Sequence, residues 1–443
     1  MTLIKSISGI RGTIGGKPND NLTPVDVVRF AAAYGTYILS QTITSKAKVV
    51  IGRDARISGS MVQALVSNTL IGLGIDVIDL GMATTPTVEM VVPKENAQGG
   101  IILTASHNPK QWNALKLLDS KGEFLNAEAG AHILDIADKE NFDFASVDDL
   151  GKISKNNTSL EMHIQEVINH PLVTVDKIKA SGLKIVVDGV NSIGGIAIPA
   201  LLKEFDLEVI ELYCEPNGQF PHNPEPLKEH LGALSEKVIE TGADLGIVVD
   251  PDVDRLAFMD ENGEMFGEEY TLVACADYVL SKKSGNTVSN MSSTRALRDV
   301  TEKHGGSYFS SAVGEVNVVT KMKEVDAVIG GEGNGGIIDP QLHYGRDSLI
   351  GTALFLSLLS GLKLSVSELK KTYPEYFMSK GKIELEPSME VDHLLNEIKK
   401  KYTDNKPNTI DGVKIDFENS WVHLRKSNTE PIIRVYTEAP SQL

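Results

Sequence analysis

The chain has 443 residues, 41% of them hydrophobic, with 43 Lys and Arg against 60 Asp and Glu and only two cysteines. Such a length and apolar content suit several domains, each with its own core, and exclude a disordered or collagen-like chain. The net charge of −17 excludes a surface built throughout for nucleic acid or an anionic membrane, while a local basic cleft remains compatible with it.

The apolar N-terminal core of a signal peptide is missing from 1–9. Thr23-Pro24, a capping hydroxyl before a proline at the first helical position, opens a helix carrying Val27, Ala31, Tyr34 and Ile38 at helical spacing. A buried strand (49–51), an amphipathic helix (61–73) and a second strand (75–80) then form one unit. The same unit returns as strand 183–187, helix 196–205 and strand 207–212, and a third time over 286–309, with a helix near 295–304 and weaker strands. β-Branched runs between turn residues suit strands covered by helices on both faces, so three consecutive α/β domains are expected. The most apolar stretch, 349–364, is interrupted by Gly351, Gly361 and Lys363 and is not read as a membrane span. From about Tyr373 the runs are shorter: strands at 382–385, 413–417, 421–424 and 432–436 and a polar helix at 391–401 predict a smaller α+β domain. No flexible linker separates these parts, so they are expected to share a cleft. Cys214 and Cys275 cannot make a disulfide framework and lack zinc-ligand spacing, which predicts a reducing cytoplasm.

Five segments carry chemistry. In Gly99-Gly100-Ile101-Ile102-Leu103-Thr104-Ala105-Ser106-His107-Asn108-Pro109 a buried strand runs into a forced turn, which leaves Ser106 as either a turn hydroxyl or a nucleophile and phosphoryl carrier. Lys116 returns on the following strand. Asp250, Asp252 and Asp254, at alternate positions after another buried strand, read as a solvated acidic turn or as ligands converging on a hard cation such as magnesium. The run 423–434 sets Arg425, Ser427, Asn428, Thr429 and Arg434 between two strands, a phosphate site or a plain polar hairpin. The glycine-rich segments 8–16, with Arg11, and 330–336, with Glu332 and Asn334, permit close backbone approach; Glu332 and Asn334 suit sugar hydroxyls, which both donate and accept.

Taken in this order, from Gly9-Ile10-Arg11-Gly12 to Arg434, the five segments resemble the α-D-phosphohexomutase family. The resemblance implies three similar α/β domains with mixed sheets (1–150, 151–256 and 257–370) and a smaller C-terminal α+β domain (371–443) around a central cleft. It further implies a mutase that interconverts 6-phospho and 1-phospho hexoses through phosphoserine at Ser106 and a hexose 1,6-bisphosphate. Ser106, Lys116, Arg11 and His107 would be catalytic. Mg2+ would be bound by Asp250, Asp252, Asp254 and the Ser106 phosphate. Arg255, Glu332, Asn334, Arg425, Ser427, Asn428, Thr429 and Arg434 would bind substrate. Arg53 and His222 fall in family-like segments without an assigned role. The expected partners are small hexose phosphates, with no nucleic acid and no membrane, and the chain is expected to be a monomer or homodimer.

The sequence departs from the family pattern in three places. In the sugar loop Asn334 and Gly336 stand where many relatives carry a serine and a histidine, Ala114 stands where a glycine commonly precedes the lysine, and the chain stops at Leu443, where relatives continue into a closing helix that would cover the last domain. The GEGNGG form of the sugar loop is most similar to phosphoglucosamine mutases, which makes glucosamine phosphate the expected substrate and glucose or mannose phosphate the alternative. A catalytically silent sugar-phosphate sensor would not need a serine beside a cation site, and a phosphatase would release inorganic phosphate instead.

Overall fold

The computed structural model describes residues 1–6, 9–42, 46–385, 391–426 and 432–441. The first sheet contains seven strands, β1 (Ile4–Ser6), β2 (Gly9–Thr13), β3 (Lys48–Arg53), β4 (Asp76–Met82), β5 (Gly99–Leu103), β6 (Trp112–Leu118) and β7 (Ile153–Lys155), in the order β1-β2-β6-β5-β3-β4-β7. The second contains β8 (Lys184–Asp188), β9 (Glu208–Leu212), β10 (Leu245–Val249) and β11 (Leu256–Met259), ordered β11-β10-β8-β9. The third contains β12 (Asn286–Asn290), β13 (Tyr308–Ser311), β14 (Ala327–Glu332) and β15 (Gly336–Ile338), ordered β13-β12-β14-β15.

One unit underlies all three sheets. Three parallel strands are followed by a fourth that turns back antiparallel beside the third, as β3 to β6, β8 to β11 and β12 to β15. The sheets are therefore mixed, as the family resemblance implied. In each, the third strand is almost fully buried and ends in a sharp turn: after Leu103, after Val249 and after Glu332. The carboxyl ends of such strands are where open α/β sheets bind ligands. Two edge strands extend past the expected divisions: β7 lies beyond residue 150, and β11 begins at residue 256 and runs beyond it.

The expected helices form with local support. Thr23 caps the helix Pro24–Gln41 in a reciprocal capping box with Asp26. The apolar stretch around 349–364 is the helix Ser348–Leu362, buried along most of its length in a core shared by the second and third sheets. Among the described residues no helix is long and apolar enough to cross a membrane. The last domain is an antiparallel sheet, β16 (Phe377–Glu384), β17 (Val413–Asp416), β18 (Trp421–Lys426) and β19 (Ile432–Ala439), ordered β16-β19-β18-β17, with the helix Val391–Lys401 packed on it.

Candidate active site

The turn after β5 presents Ser106 in the left-handed region, φ +48°, which a non-glycine residue adopts only when its surroundings impose it. Those surroundings are explicit. Thr104 Oγ1 donates to Asp54 Oδ2 at 2.7 Å and accepts the Ser106 N–H at 3.0 Å. Arg56, fully buried, pairs with Asp54 at 2.9 Å and donates to the carbonyls of Asn108 (2.7 Å), Pro109 (2.7 Å), Trp112 (3.0 Å) and Ser106. One guanidinium thus gathers the whole turn. Sequence reasoning missed Arg56, since in Gly52-Arg53-Asp54-Ala55-Arg56 it noted only Arg53, which binds Gln63 and the Asp54 carbonyl behind the site.

Across the cleft, the turn after β10 brings the three aspartates together, all with no exposed surface. Ligand oxygens of Asp250, Asp252 and Asp254 lie within 4.8 Å of one another. Val253 takes φ +65°, an outlier for a β-branched residue, and so makes the turn tight enough for this. Asp250 Oδ2 accepts from Ser106 Oγ at 2.6 Å. Asp252 Oδ2 accepts from Thr85 Oγ1 and from Lys116 Nζ, both at 2.6 Å, and Lys116 reaches Asp254 at 3.3 Å. The Oδ1 atoms of Asp252 and Asp254 are buried without a hydrogen-bond partner. Burial and the adjacent Asp252 and Asp254 push the Asp250 carboxyl well above its usual range. Two orphaned carboxylate oxygens within a cluster of three close carboxylates, an all-oxygen donor set, fit a hard divalent cation such as magnesium.

Cationic groups ring this centre. Burial opposes the charge on Lys116, but Asp252 and Asp254 outweigh it and hold the ammonium above its ordinary pKa. Burial likewise raises the Asp254 carboxyl, but Arg346, Lys116 and Arg255 outweigh it and hold the group below the usual carboxylate range. Burial and the nearby Arg255 push His107 down to about 2, so its imidazole is neutral; its Nδ1 lies 3.4 Å from Ser106 Oγ. Arg11, on β2 opposite Ala114, lines the same cavity as Ser106, Lys116 and Arg255. Gly9 opposes Lys116 two register positions along, and a Cβ there would collide with the β6 backbone.

That cavity, about 630 Å³, also includes Glu332 and Asn334, and these two residues continue into a second cavity of about 520 Å³. The far wall of the second is formed by Arg425 and Arg434 with Lys380 and Lys382. Arg425, 3.6 Å from Asp411, is directly opposed to Arg434 across β18 and β19, a like-charge pairing that a bound anion would relieve. Glu332 Oε1 accepts from Asn290 (2.9 Å) and the Gly314 N–H (3.0 Å), while Asn334 Oδ1 accepts the Gly336 N–H at 3.2 Å. The cleft is therefore cationic at both ends, with sugar-type hydrogen-bonding groups in the middle. The expected phosphate-loop residues Ser427, Asn428 and Thr429 lie outside the described residues. His222 binds Asp188 at 3.0 Å and the Asn223 carbonyl and lines neither cavity. Beyond Arg56, the sequence reading passed over Arg346 on a loop, Glu315 and Glu269 in the first turns of helices, and Lys380 and Lys382 within β16, because isolated charges follow no period or spacing.

Comparison with known proteins agrees with this architecture. Four family domains match in order: phosphoglucomutase/phosphomannomutase alpha/beta/alpha domains I, II and III over 3–144, 161–263 and 267–376, and the C-terminal domain over 382–442. A phosphoglucomutase/phosphomannomutase of Thermococcus kodakarensis is 35% identical over 97% of this chain and 94% of its own length. A probable phosphoglucosamine mutase of Methanopyrus kandleri is 34% identical over 98% and 93%. Among solved structures, a phosphoglucomutase/phosphomannomutase family protein of Burkholderia thailandensis shares the fold with a TM-score of 0.86 at 24% identity, covering 99% of this chain and 93% of that one. The chain belongs to the phosphoglucomutase/phosphomannomutase family and is a phosphohexomutase, an intramolecular phosphotransferase.

Proposed function

We propose that this enzyme interconverts 6-phospho and 1-phospho hexoses through phosphoserine at Ser106 and a hexose 1,6-bisphosphate, with glucosamine 6-phosphate and glucosamine 1-phosphate as its preferred pair. The observation that carries the reading is Ser106 Oγ held 2.6 Å from Asp250, at the edge of three converging carboxylates and in a cavity with Lys116, Arg11 and Arg255. Asp250, Asp252 and Asp254 would hold Mg2+, which neutralises phosphoryl oxygens when bound.

The remaining work falls to the chain's own residues. Arg425 and Arg434 grip the phosphate that does not react, while Glu332 and Asn334 hold the sugar hydroxyls with the free hydroxyl aimed at Ser106. The Oγ–P bond breaks as the sugar O–P bond forms, so the net proton movement is from the sugar hydroxyl to Ser106 Oγ. Lys116, an ammonium in the resting site, relays it. Such relays contribute ~10²- to 10⁴-fold in rate. The bisphosphate then turns end for end and returns its other phosphoryl group to Ser106, a reversal suited to a cleft with cations at both ends. Within each transfer to or from Ser106, positioning and charge neutralisation supply most of the rate.

The GEGNGG sugar loop and the likeness to the M. kandleri protein support glucosamine phosphate; the likeness to the T. kodakarensis protein supports the second reading, glucose or mannose phosphate. A coupled assay with glucosamine, glucose and mannose 6-phosphates, primed with hexose bisphosphate and Mg2+, tests both. The highest kcat/KM is expected on glucosamine 6-phosphate; preference for either other sugar selects the second reading, and no turnover of any sinks both. Ser106→Ala is expected to remove turnover and the phosphopeptide together.

A further inference from the structure

Arg346 has no assigned role, yet it occupies the junction between the cation-site turn and the sugar loop. Its Nη2 donates to Asp254 Oδ2 at 2.7 Å, its Nη1 to Glu332 Oε2 at 2.8 Å and its Nε to Glu315 Oε2 at 3.0 Å. Its backbone N–H donates to Glu315 Oε1 at 3.2 Å. Three buried carboxylates from two domains thus converge on one planar fork, a geometry that a guanidinium satisfies and an ammonium does not. The guanidinium also faces the cavity that contains Ser106 and Lys116.

Two further observations fix it there. The next residue, Asp347, accepts from the Leu349 N–H at 2.8 Å as the cap of the long buried helix, and contacts His163 (2.8 Å) and His343 (3.2 Å). His163 in turn meets Thr87 at 2.9 Å, so the backbone carrying Arg346 is tied to the first and second domains as well as its own. In addition, Gly336, at the end of the sugar loop, abuts the Arg346 side chain: a Cβ at 336 would collide with Arg346 Cδ. The space that a larger residue at 336 would need is filled by Arg346.

We propose that Arg346 is the positioning residue that sets the sugar loop in register with the cation site, and that it does so in the space left by Gly336. Asp254 is held twice, by Arg346 and by Lys116, so the cation site survives loss of one holder. Glu332 and Glu315 lose the cation that fixes them. The consequence of removing Arg346 therefore falls on the sugar side of the cleft.

Calorimetric titration of Mg2+ into the metal-free protein, thermal melting and steady-state kinetics of Arg346→Lys and Arg346→Gln test this. Turnover is expected to fall by ~10- to 100-fold in both, with Mg2+ affinity close to wild type and the melting temperature lowered more in Arg346→Gln, which leaves buried carboxylates without their cation, than in Arg346→Lys. Arg346→Lys with wild-type turnover would overturn the proposal, because charge alone would then suffice. Loss of Mg2+ affinity in parallel with turnover in Arg346→Lys would overturn it too, by placing the effect of Arg346 on the cation site. Gly336→Ala gives an independent reading that leaves Arg346 in the chain. It is expected to lower turnover in the same pattern and to add little in the Arg346→Lys background; full activity of Gly336→Ala would contradict the packing argument.

Discussion

Glu269 lies half-buried in the wall of the distal cavity, under the sugar loop, and accepts the Thr294 N–H at 2.9 Å. Burial pushes its carboxyl up to about 8 from the ordinary 4.5, against the opposing charge of Lys380. The folded protein thus keeps a proton that the unfolded chain releases between these values, and stability falls as pH rises through that window. Glu269→Gln, neutral at every pH and able to accept the same N–H, is expected to melt with the wild type at about pH 5 and above it at about pH 8.5. Equal melting temperatures at both ends would mean that the carboxyl titrates normally. Residues of this kind were illegible in the sequence. Ser106 and the three aspartates stood out because a buried strand ran into a turn with a fixed spacing. Glu269, Arg56 and Arg346 acquire their meaning from groups about 25, 50 and 90 positions away in the chain, as the Arg56–Asn108 and Arg346–Asp254 contacts illustrate.

At the scale of elements, the same turn of a repeated unit has been given three chemistries. The connection from third to fourth strand bears Ser106 in the first sheet, the aspartates in the second and Glu332 with Asn334 in the third. Two of these turns touch through their backbones: the Leu256 N–H donates to the Gly335 carbonyl at 3.1 Å, and Gly335, at φ +84°, approaches so closely that a Cβ would collide with the Leu256 carbonyl. Gly335→Ala combines that collision with a disfavoured φ. It is expected to raise KM and lower kcat together, while urea unfolding reports a loss of about 1–3 kcal/mol. Wild-type kinetics in this variant would show that the contact between turns is dispensable. The strands and helices of the units were legible from their β-branched runs and amphipathic spacing, and the helix at 391–401 matched to the residue. The antiparallel fourth strands were not readable from period alone, since β6, β11 and β15 are short apolar runs that read equally well in either direction.

For the whole molecule, the net charge of −17 and an anionic substrate are reconciled by segregation. Arg11, Lys116, Arg255 and Arg346 line the cavity at Ser106, and Lys380, Lys382, Arg425 and Arg434 line the one beyond it. An acidic exterior around a cationic cleft favours small anions that can enter over extended polyanions that cannot. In the proposed reaction Ser106 is the group through which every phosphoryl passes. The most direct measurement is to load the Mg2+-treated enzyme with hexose 1,6-bisphosphate carrying a labelled phosphoryl group, map the label by peptide mass spectrometry, and chase with unlabelled hexose monophosphate. One labelled phosphoryl is expected on the peptide containing Ser106, leaving quantitatively to the sugar during the chase. Label on another residue, or label on Ser106 that water removes but sugar phosphate does not, would contradict it.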